Sequence, residues 1–462
     1  MTSWTPKIAR HRQSQGIVEA LASDIASGAL RPGQQLPTHR DLAFRLGVAV
    51  ATVTKAYGEA KRRGYVRGGV GSGTFVLEPP LSERRRIRPD EAVNDAIDLS
   101  FNTAITSLGQ TQALTAALAR VGAGGSTGLL EYHRPWAGQA RHRAAGSTWL
   151  ASLGLATRPE DVVVTCGAQH AASIVLLSNA AAGDVLLSDA LTDPLIKLLA
   201  TTLQLELRGV PGDDEGLCPK ALEAACRGGR VRALLCMPDH HSPTLLVMPE
   251  KRRRALASVA RAHDLVICEN AVYRPLVADP PPPISAFAPE RSFFFSSLSK
   301  IIAPGLRLGF LAAPEARARD LILGLGGTCW MAPPLTAEIA CGWIEDGTAT
   351  RLAERQRHEL QLRNALAARH LGRFRPAALT SGMHLWLSLP ASWRAGAFVR
   401  EVAARGTLVM PSEAFAVGRA GVPHAVRVSL GGAVESRERL ESGLSTVAAV
   451  LAENSETAYV PI

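Results

Sequence analysis

In the first eighty residues apolar positions recur every three or four places, whereas beyond residue 98 short apolar runs alternate with helical stretches. In "SQGIVEALASDIASGAL" Ile17, Leu21 and Ile25 share one helical face, and Gly28 ends it. "LPTHRDLAFRLG" predicts a short second helix, with Thr38 as N-cap after Pro37, Leu42 and Leu46 inward, and Gly47 as its stop. "VAVATVTKAYGEAKRRG" predicts a third, with Val53, Ala56 and Tyr57 inward and Lys55, Lys61, Arg62 and Arg63 outward. "YVRGGVGSGTFVL" reads as two short strands about a glycine-rich turn. Three helices and a hairpin, with a tight turn between helices two and three, predict a winged helix-turn-helix over residues 1–77.

A Pro-rich, charged stretch follows, "EPPLSERRRIRPDEAVNDA", and residues 78–97 read as a linker. Residues 98–462 then carry the runs "DVVVTC", "DVLLS", "VRALLCMP" and "DLVICE", separated by helical stretches over 169–181, 218–229 and 250–262. Strands alternating with helices predict an α/β domain with a mainly parallel sheet, whose ligands bind outside the carboxyl ends of the strands.

Charge divides the chain in the same place. Residues 1–90 hold 15 Lys/Arg against 7 Asp/Glu, a net +8, leaving 36 against 34, a net +2, for residues 91–462. A basic module on a nearly neutral one suits a polyanion partner, although a solvated basic face has the same charge. No run reaches the roughly 18 apolar residues of a membrane span, and the expectation is a cytoplasmic protein. The seven cysteines lack a CxxC pair or histidines at zinc spacing, so they read as reduced thiols in a core with no metal.

The chemistry concentrates at strand ends. "SFFFSSLSKIIAPGLRLGF" finishes an apolar run with Lys300 among serines, and Arg307 follows. A lysine there is either a solvated loop residue or a Schiff-base former, with hydroxyls and a guanidinium nearby to hold a phosphate. After "DVVVTC" comes "GAQHAA", where a helix opening on Gly167 offers free N–H groups.

Taken together these stretches resemble known families. "LASDIASGALRPGQQLPTHRDLAFRLGVAVATVTKAYGEAKRRGYVRGGVGSGTFV" resembles the DNA-binding domain of the GntR regulators. The large domain resembles the fold type I aminotransferases that use pyridoxal 5'-phosphate, with a smaller α+β subdomain over about 330–462. Through "LTDPLIKLLA", "WMAPPLTAEIA" and "AFAVGRAGVPHAVRVSLGG" the whole chain is similar to the MocR subfamily, in which the two are fused. The resemblance implies that Arg40, Thr52 and Lys55 meet double-stranded DNA, with Gly71 and Gly73 letting the wing approach it. It implies further that Lys300 holds the cofactor as a Schiff base, and that Ser297, Arg307 and the backbone of Gly167, Ala168 and Gln169 bind its phosphate. Tyr273 would meet the phenolic oxygen, Tyr132 would reach a partner subunit's site in a homodimer, and Arg427 would take the carboxylate of an amino-compound effector.

The chain also departs from those patterns. Ala49 and Val50 stand where GntR domains usually have Ser-Arg. At the cofactor ring, Asn270 replaces the aspartate that pairs with the pyridine nitrogen, Ser242 an asparagine, and Asp193 a stacking tyrosine. A neutral amide at 270 leaves the ring nitrogen without its counter-ion and makes the ring a poor electron sink. Glu269, on the opposite face of its strand, cannot substitute. The expected function is a transcription regulator that senses pyridoxal phosphate or an amino compound. The alternatives are an aminotransferase with a DNA-binding appendage, or a regulator whose large domain only dimerises.

Overall fold

The computed structural model describes residues 4–6, 13–26, 30, 33–62, 65–69, 73–76, 96–107, 109–124, 127–131, 136–315, 317–418 and 422–453. They fall into two units, one within 1–93 and one from 94 onward.

In the first unit α1 (Gln13–Ala26), α2 (His39–Leu46) and α3 (Val50–Arg62) precede the antiparallel strands β1 (Val66–Gly69) and β2 (Gly73–Val76). Ile17, Leu21, Leu42, Val53 and Ala56 are fully buried, so the helical periodicity is satisfied by one shared core. Each of the Ile, Leu and Val side chains contributes about 1.5–3 kcal/mol. Leu46 is only part-buried at the edge of that core. Thr38 caps α2 by accepting from Asp41 N at 3.2 Å, and Gly47 ends it in the left-handed region at φ 63°. Tyr57 donates to Pro37 O at 3.1 Å and ties α3 to the entry of α2. Gly28, Arg63 and Gly71 lie outside the described residues, as do the side chain of Arg62, residue 77 and residues 78–95 of the predicted linker.

The second unit is built on a seven-stranded sheet. Its strands are β4 (Val162–Thr165), β5 (Val185–Asp189), β6 (Glu206–Val210), β9 (Val231–Cys236), β10 (Val266–Asn270), β11 (Ser292–Ser297) and β12 (Gly309–Ala312), with a small hairpin of β7 (Gly212–Asp213) and β8 (Gly216–Leu217) after β6. The order is β4-β12-β11-β10-β9-β5-β6, parallel except at β12, which runs antiparallel to both neighbours. Helices Ala168–Asn179 and Glu250–Ala262 pack in separate apolar clusters, as the near-continuous apolar strands require.

A second, three-stranded antiparallel sheet joins β13 (His384–Ser388), β16 (Ala425–Ser429) and β15 (Met410–Pro411). Beside it β3 (Ile97–Asp98) pairs in parallel with β14 (Thr407–Leu408). Ile97, read above as the end of a linker, is therefore a strand residue. It and Leu99 pack into the cluster of Leu366, Leu385, Val426 and Leu444, so the large unit's first strand belongs with its last elements. Among the described residues no helix is long and apolar enough to cross a membrane.

Candidate functional site

The reversal of β12 makes the site. Its start pairs Gly309 with Ser297 at the end of β11 on one side and with Thr165 at the end of β4 on the other. The turn before β12 therefore delivers Arg307 to the rim where β4, β10 and β11 finish. Arg307 adopts the left-handed conformation at φ 48°, and its Nη1 donates to Ser299 Oγ at 3.4 Å. Gly309 has no alternative, because a Cβ there would lie 2.8 Å from Ser296 O and 3.0 Å from Gly167. Gly167 turns at φ 91° into the helix Ala168–Asn179, and a side chain on it would stand 3.4 Å from Arg307 Nη2. Two hydroxyls, a guanidinium and a helix amino end thus converge on one hollow, a cradle suited to a phosphate.

That hollow has a volume of about 160 Å³, and Ala168, Gln169, Asn270, Tyr273, Ser297, Lys300 and Arg307 line it together with Phe101 and Asp193. Lys300, half-buried in a short turn after β11, donates to Asn102 O at 2.6 Å and lies 5.0 Å from the Phe101 ring. Asn102 Nδ2 reaches both Tyr273 Oη (3.2 Å) and His384 Nδ1 (2.9 Å). His384 Nε2 faces Pro243 O at 3.0 Å, and a carbonyl only accepts, so the ring proton sits on Nε2 and Nδ1 accepts from Asn102. Tyr273 then accepts from Asn102, and its own proton is left for the cavity.

Asn270 lies at the end of β10, and its Oδ1 accepts from Val272 N at 3.2 Å, which leaves its amide N–H groups for the cavity. Glu269 projects to the other face, where Ile284 N, Ser285 N and Ser285 Oγ hydrogen-bond it at 2.6–3.0 Å, while burial pushes its carboxyl up. Asp193 caps the helix Pro194–Thr202 by accepting from Leu195 N.

Behind the cavity lies Arg427, 4% exposed, donating to Ser242 Oγ (3.1 Å) and Ser100 O (2.7 Å) over the Phe415 ring. Its Nε has no hydrogen-bond partner, and among the described residues it forms no salt bridge. Burial lowers its pKa. His240 and His384 are fully buried nearby, and desolvation pushes His240 down to about 4 and His384 well below its ordinary value.

The structure therefore gathers Lys300, Ser297, Arg307, Tyr273, Asn270, Ala168 and Gln169 at one cavity, with Gly167 behind Arg307. Ser242 departs from its expected place: it accepts from Arg427 and does not line the cavity, while Asn102 meets the Tyr273 hydroxyl. Asn102 escaped the sequence reading because its partners are 171 and 282 residues away. Tyr132 lies outside the described residues. A larger hollow of about 590 Å³ lies elsewhere, but its charges are already paired as Arg120–Asp346 and Arg141–Glu345.

The cysteines need a correction. Only Cys236, Cys268 and Cys341 are buried, whereas Cys166, Cys218 and Cys226 are part-buried and Cys329 is exposed, because it sits in a surface loop after the helix Ile322–Gly326. Cys166, His170 and Cys329, which show no zinc spacing in the sequence, come together in the fold, Cys329 from 163 and 159 positions beyond the other two.

In the first unit Arg40, Lys55 and Gly73 are exposed and Thr52 is part-buried on α3. Val50, where an arginine was expected, is 44% exposed at the start of α3, and Phe44 on α2 is 88% exposed.

Residues 94–445 match the family of class I and II aminotransferases, and residues 13–76 match the gntR family of bacterial regulatory proteins. The chain is 29% identical to the HTH-type transcriptional regulator YdeF of Bacillus subtilis, over 96% of this chain and 95% of that one. It is also 29% identical to the HTH-type pyridoxine biosynthesis transcriptional regulator PdxR of Corynebacterium glutamicum, over 77% and 78%. Among solved structures, LysN, an α-aminoadipate aminotransferase of Thermus thermophilus, superposes with a TM-score of 0.70 at 23% identity, covering 86% of this chain and 97% of that one. An archaeal alanine:glyoxylate aminotransferase gives 0.70 at 21%, over 78% and 91%.

Proposed function

Because the chain belongs to the family of class I and II aminotransferases and carries a GntR domain at its amino end, it is a DNA-binding transcription regulator, and we propose that its large unit holds pyridoxal 5'-phosphate and reads an amino compound through it. The observation that carries this reading is the convergence of Lys300, Ser297 and Arg307 on one cavity through the reversed strand β12. Bound there, the cofactor supplies an aldehyde that couples reversibly to primary amines.

The chain's own groups divide the work. Lys300 Nζ is the amine in reach, and the carbonyl of Asn102 orients it. Ser297, Ser299, Arg307 and the N–H groups opening Ala168–Asn179 take the phosphate. Tyr273, with its proton free, hydrogen-bonds the phenolic oxygen. Asn270 offers a donor and no charge, which suits an unprotonated ring nitrogen, so binding is favoured over carbanion chemistry. Arg427, a buried cation without a salt-bridge partner among the described residues, takes the effector's carboxylate. The exposed Leu130, Leu323 and Trp330 give a second copy apolar surface to cover, and a homodimer would present two DNA-binding units to paired half-sites.

Full-length protein incubated with pyridoxal phosphate, reduced with borohydride and digested tests the reading. One phosphopyridoxyl group on the peptide bearing Lys300 is expected, together with changed operator affinity when an amino compound is added. No adduct, or adducts spread over surface lysines, would overturn it, and steady turnover of an amino acid with a 2-oxoacid would favour a catalytic role instead.

A further inference from the structure

Beside the Gly167 turn, the geometry points to a thiolate metal site, in which Cys166, His170 and Cys329 take a zinc-type divalent ion. Their ligand atoms all lie within 4.8 Å of one another. Cys166 Sγ and Cys329 Sγ are 3.5 Å apart, and Cys329 Sγ lies 3.6 Å and 3.9 Å from His170 Nε2 and Nδ1. A tetrahedral zinc with bonds of about 2.3 Å to sulfur and 2.0–2.1 Å to nitrogen sets its sulfurs about 3.8 Å apart and sulfur from nitrogen about 3.6 Å. The sulfur–sulfur spacing and the Cys329 Sγ–His170 spacing match that shape to within a few tenths of an ångström, whereas a disulfide would need the sulfurs to close to about 2.05 Å.

His170 is held at both ring nitrogens. Thr328 Oγ1 directs its single proton to the carbonyls of Gly324 and Leu325, so toward His170 Nε2, at 2.8 Å, it accepts. The imidazole proton is therefore on Nε2, and Nδ1 accepts from Cys166 N at 3.0 Å, a bond that an ion at Nδ1 would replace. A ligating imidazole donates its other ring N–H to a fixed acceptor, and here the Thr328 hydroxyl fills that place.

Two sulfurs and one nitrogen select zinc over the hard cations, which prefer oxygen. With three protein ligands and Cys329 exposed, the fourth position is left to water. The ion would join the end of β4 and the first turn of Ala168–Asn179 to the loop carrying Trp330, whose ring stacks on Trp136 at 6.0 Å. Zinc occupancy thus bears on the turn that also walls the cavity, and tryptophan emission reports it.

The test uses untagged full-length protein under a non-thiol reductant, with zinc alone competed against a chromophoric chelator. One ion per chain is expected, with a change in tryptophan emission at the same stoichiometry. Cobalt(II) in its place should give the intense visible bands of a tetrahedral thiolate complex. Cys329→Ser, an exposed change, and Cys166→Ser should each weaken zinc at least tenfold, whereas Cys226→Ser should not. Absence of a stoichiometric ion in the wild type overturns the proposal, and so does equal affinity in all three variants, or loss of two thiols to peroxide in a protein that never takes zinc.

Discussion

Replacing Arg427 by methionine separates what this residue does for the fold from what it does for a ligand. The wild-type guanidinium is 4% exposed, has no salt-bridge partner among the described residues and leaves Nε without a hydrogen-bond partner. Its bonds to Ser242 Oγ and Ser100 O contribute about 1.5–3 kcal/mol each, as hydrogen bonds from a charged donor do. Against them stand a desolvation penalty of several kcal/mol for a buried ion and about 1–3 kcal/mol for the unmet N–H. The opposing contributions nearly cancel. Methionine keeps an unbranched stem against Phe415, and its stability should stay within about 2 kcal/mol of the wild type. A bound carboxylate, by contrast, would lose its buried partner at about 2–5 kcal/mol, a roughly 30-fold to several-thousand-fold loss of affinity. The assay titrates cofactor-loaded wild type and variant with α-amino acids, each beside the primary amine lacking its carboxyl group. Wild type should prefer the acid and Arg427→Met should not. If the variant keeps the preference, or if no amino acid outbinds its amine in the wild type, the role given to Arg427 is wrong.

Lys300→Ala should abolish the borohydride-fixed label while moving the melting temperature by only a few degrees, because a half-buried side chain with one hydrogen bond to Asn102 is lost; a retained label would refute it. His240, pushed down to about 4 by burial, binds protons less readily folded than unfolded, so its contribution is complete above about pH 6.5 and is lost as pH falls toward 4. Denaturation at pH 7 and pH 5 should therefore show a drop about 2 kcal/mol smaller in His240→Asn than in wild type, and an equal drop would count against this origin. Lys55→Ala should weaken binding to any DNA and flatten its salt dependence by about one unit of slope, whereas Arg40→Ala should cost about 1–3 kcal/mol mainly on the operator; fluorescence anisotropy across salt concentrations distinguishes the two. Asn270→Asp should shift the bound cofactor's absorption by protonating its ring, and an unchanged spectrum would mean that residue 270 does not face the ring nitrogen.

What was legible in the chain was local. Thr38 and Gly47 announce the ends of α2 by their own chemistry, and the caps appear where they stand. Asn270 closes an apolar run, so a period of two places it at a strand end and sends Glu269 to the opposite face, and Lys300 follows another such run in the turn after β11. Arg307 could be suspected from its neighbours, but the reversal that brings it to the rim could not. β12 pairs with β4 across well over a hundred residues, and no local pattern encodes that pairing.

The same limit explains the residues that were missed, and it has a physical direction. A buried polar group must find a partner, but the partner need not be near in sequence, only near once the layers have packed. Asn102 illustrates the point: an ordinary polar residue after an apolar strand, it becomes the donor to Tyr273 and His384 because β3 pairs with β14 and draws residues 97–102 between the two sheets. Its carbonyl then meets Lys300. The lysine at the rim and the buried arginine behind it are thus held by adjacent stretches of one segment, Arg427 through Ser100 O and Lys300 through Asn102 O. A ligand that draws either cation off its carbonyl disturbs residues 100–102, and this short segment can pass a change at the cavity to the second sheet. Hydrogen exchange at the Leu99 amide, which donates to Leu408 O at 2.8 Å, should therefore rise when the cofactor and an amino compound are bound together, and unchanged exchange there would exclude the segment from signalling.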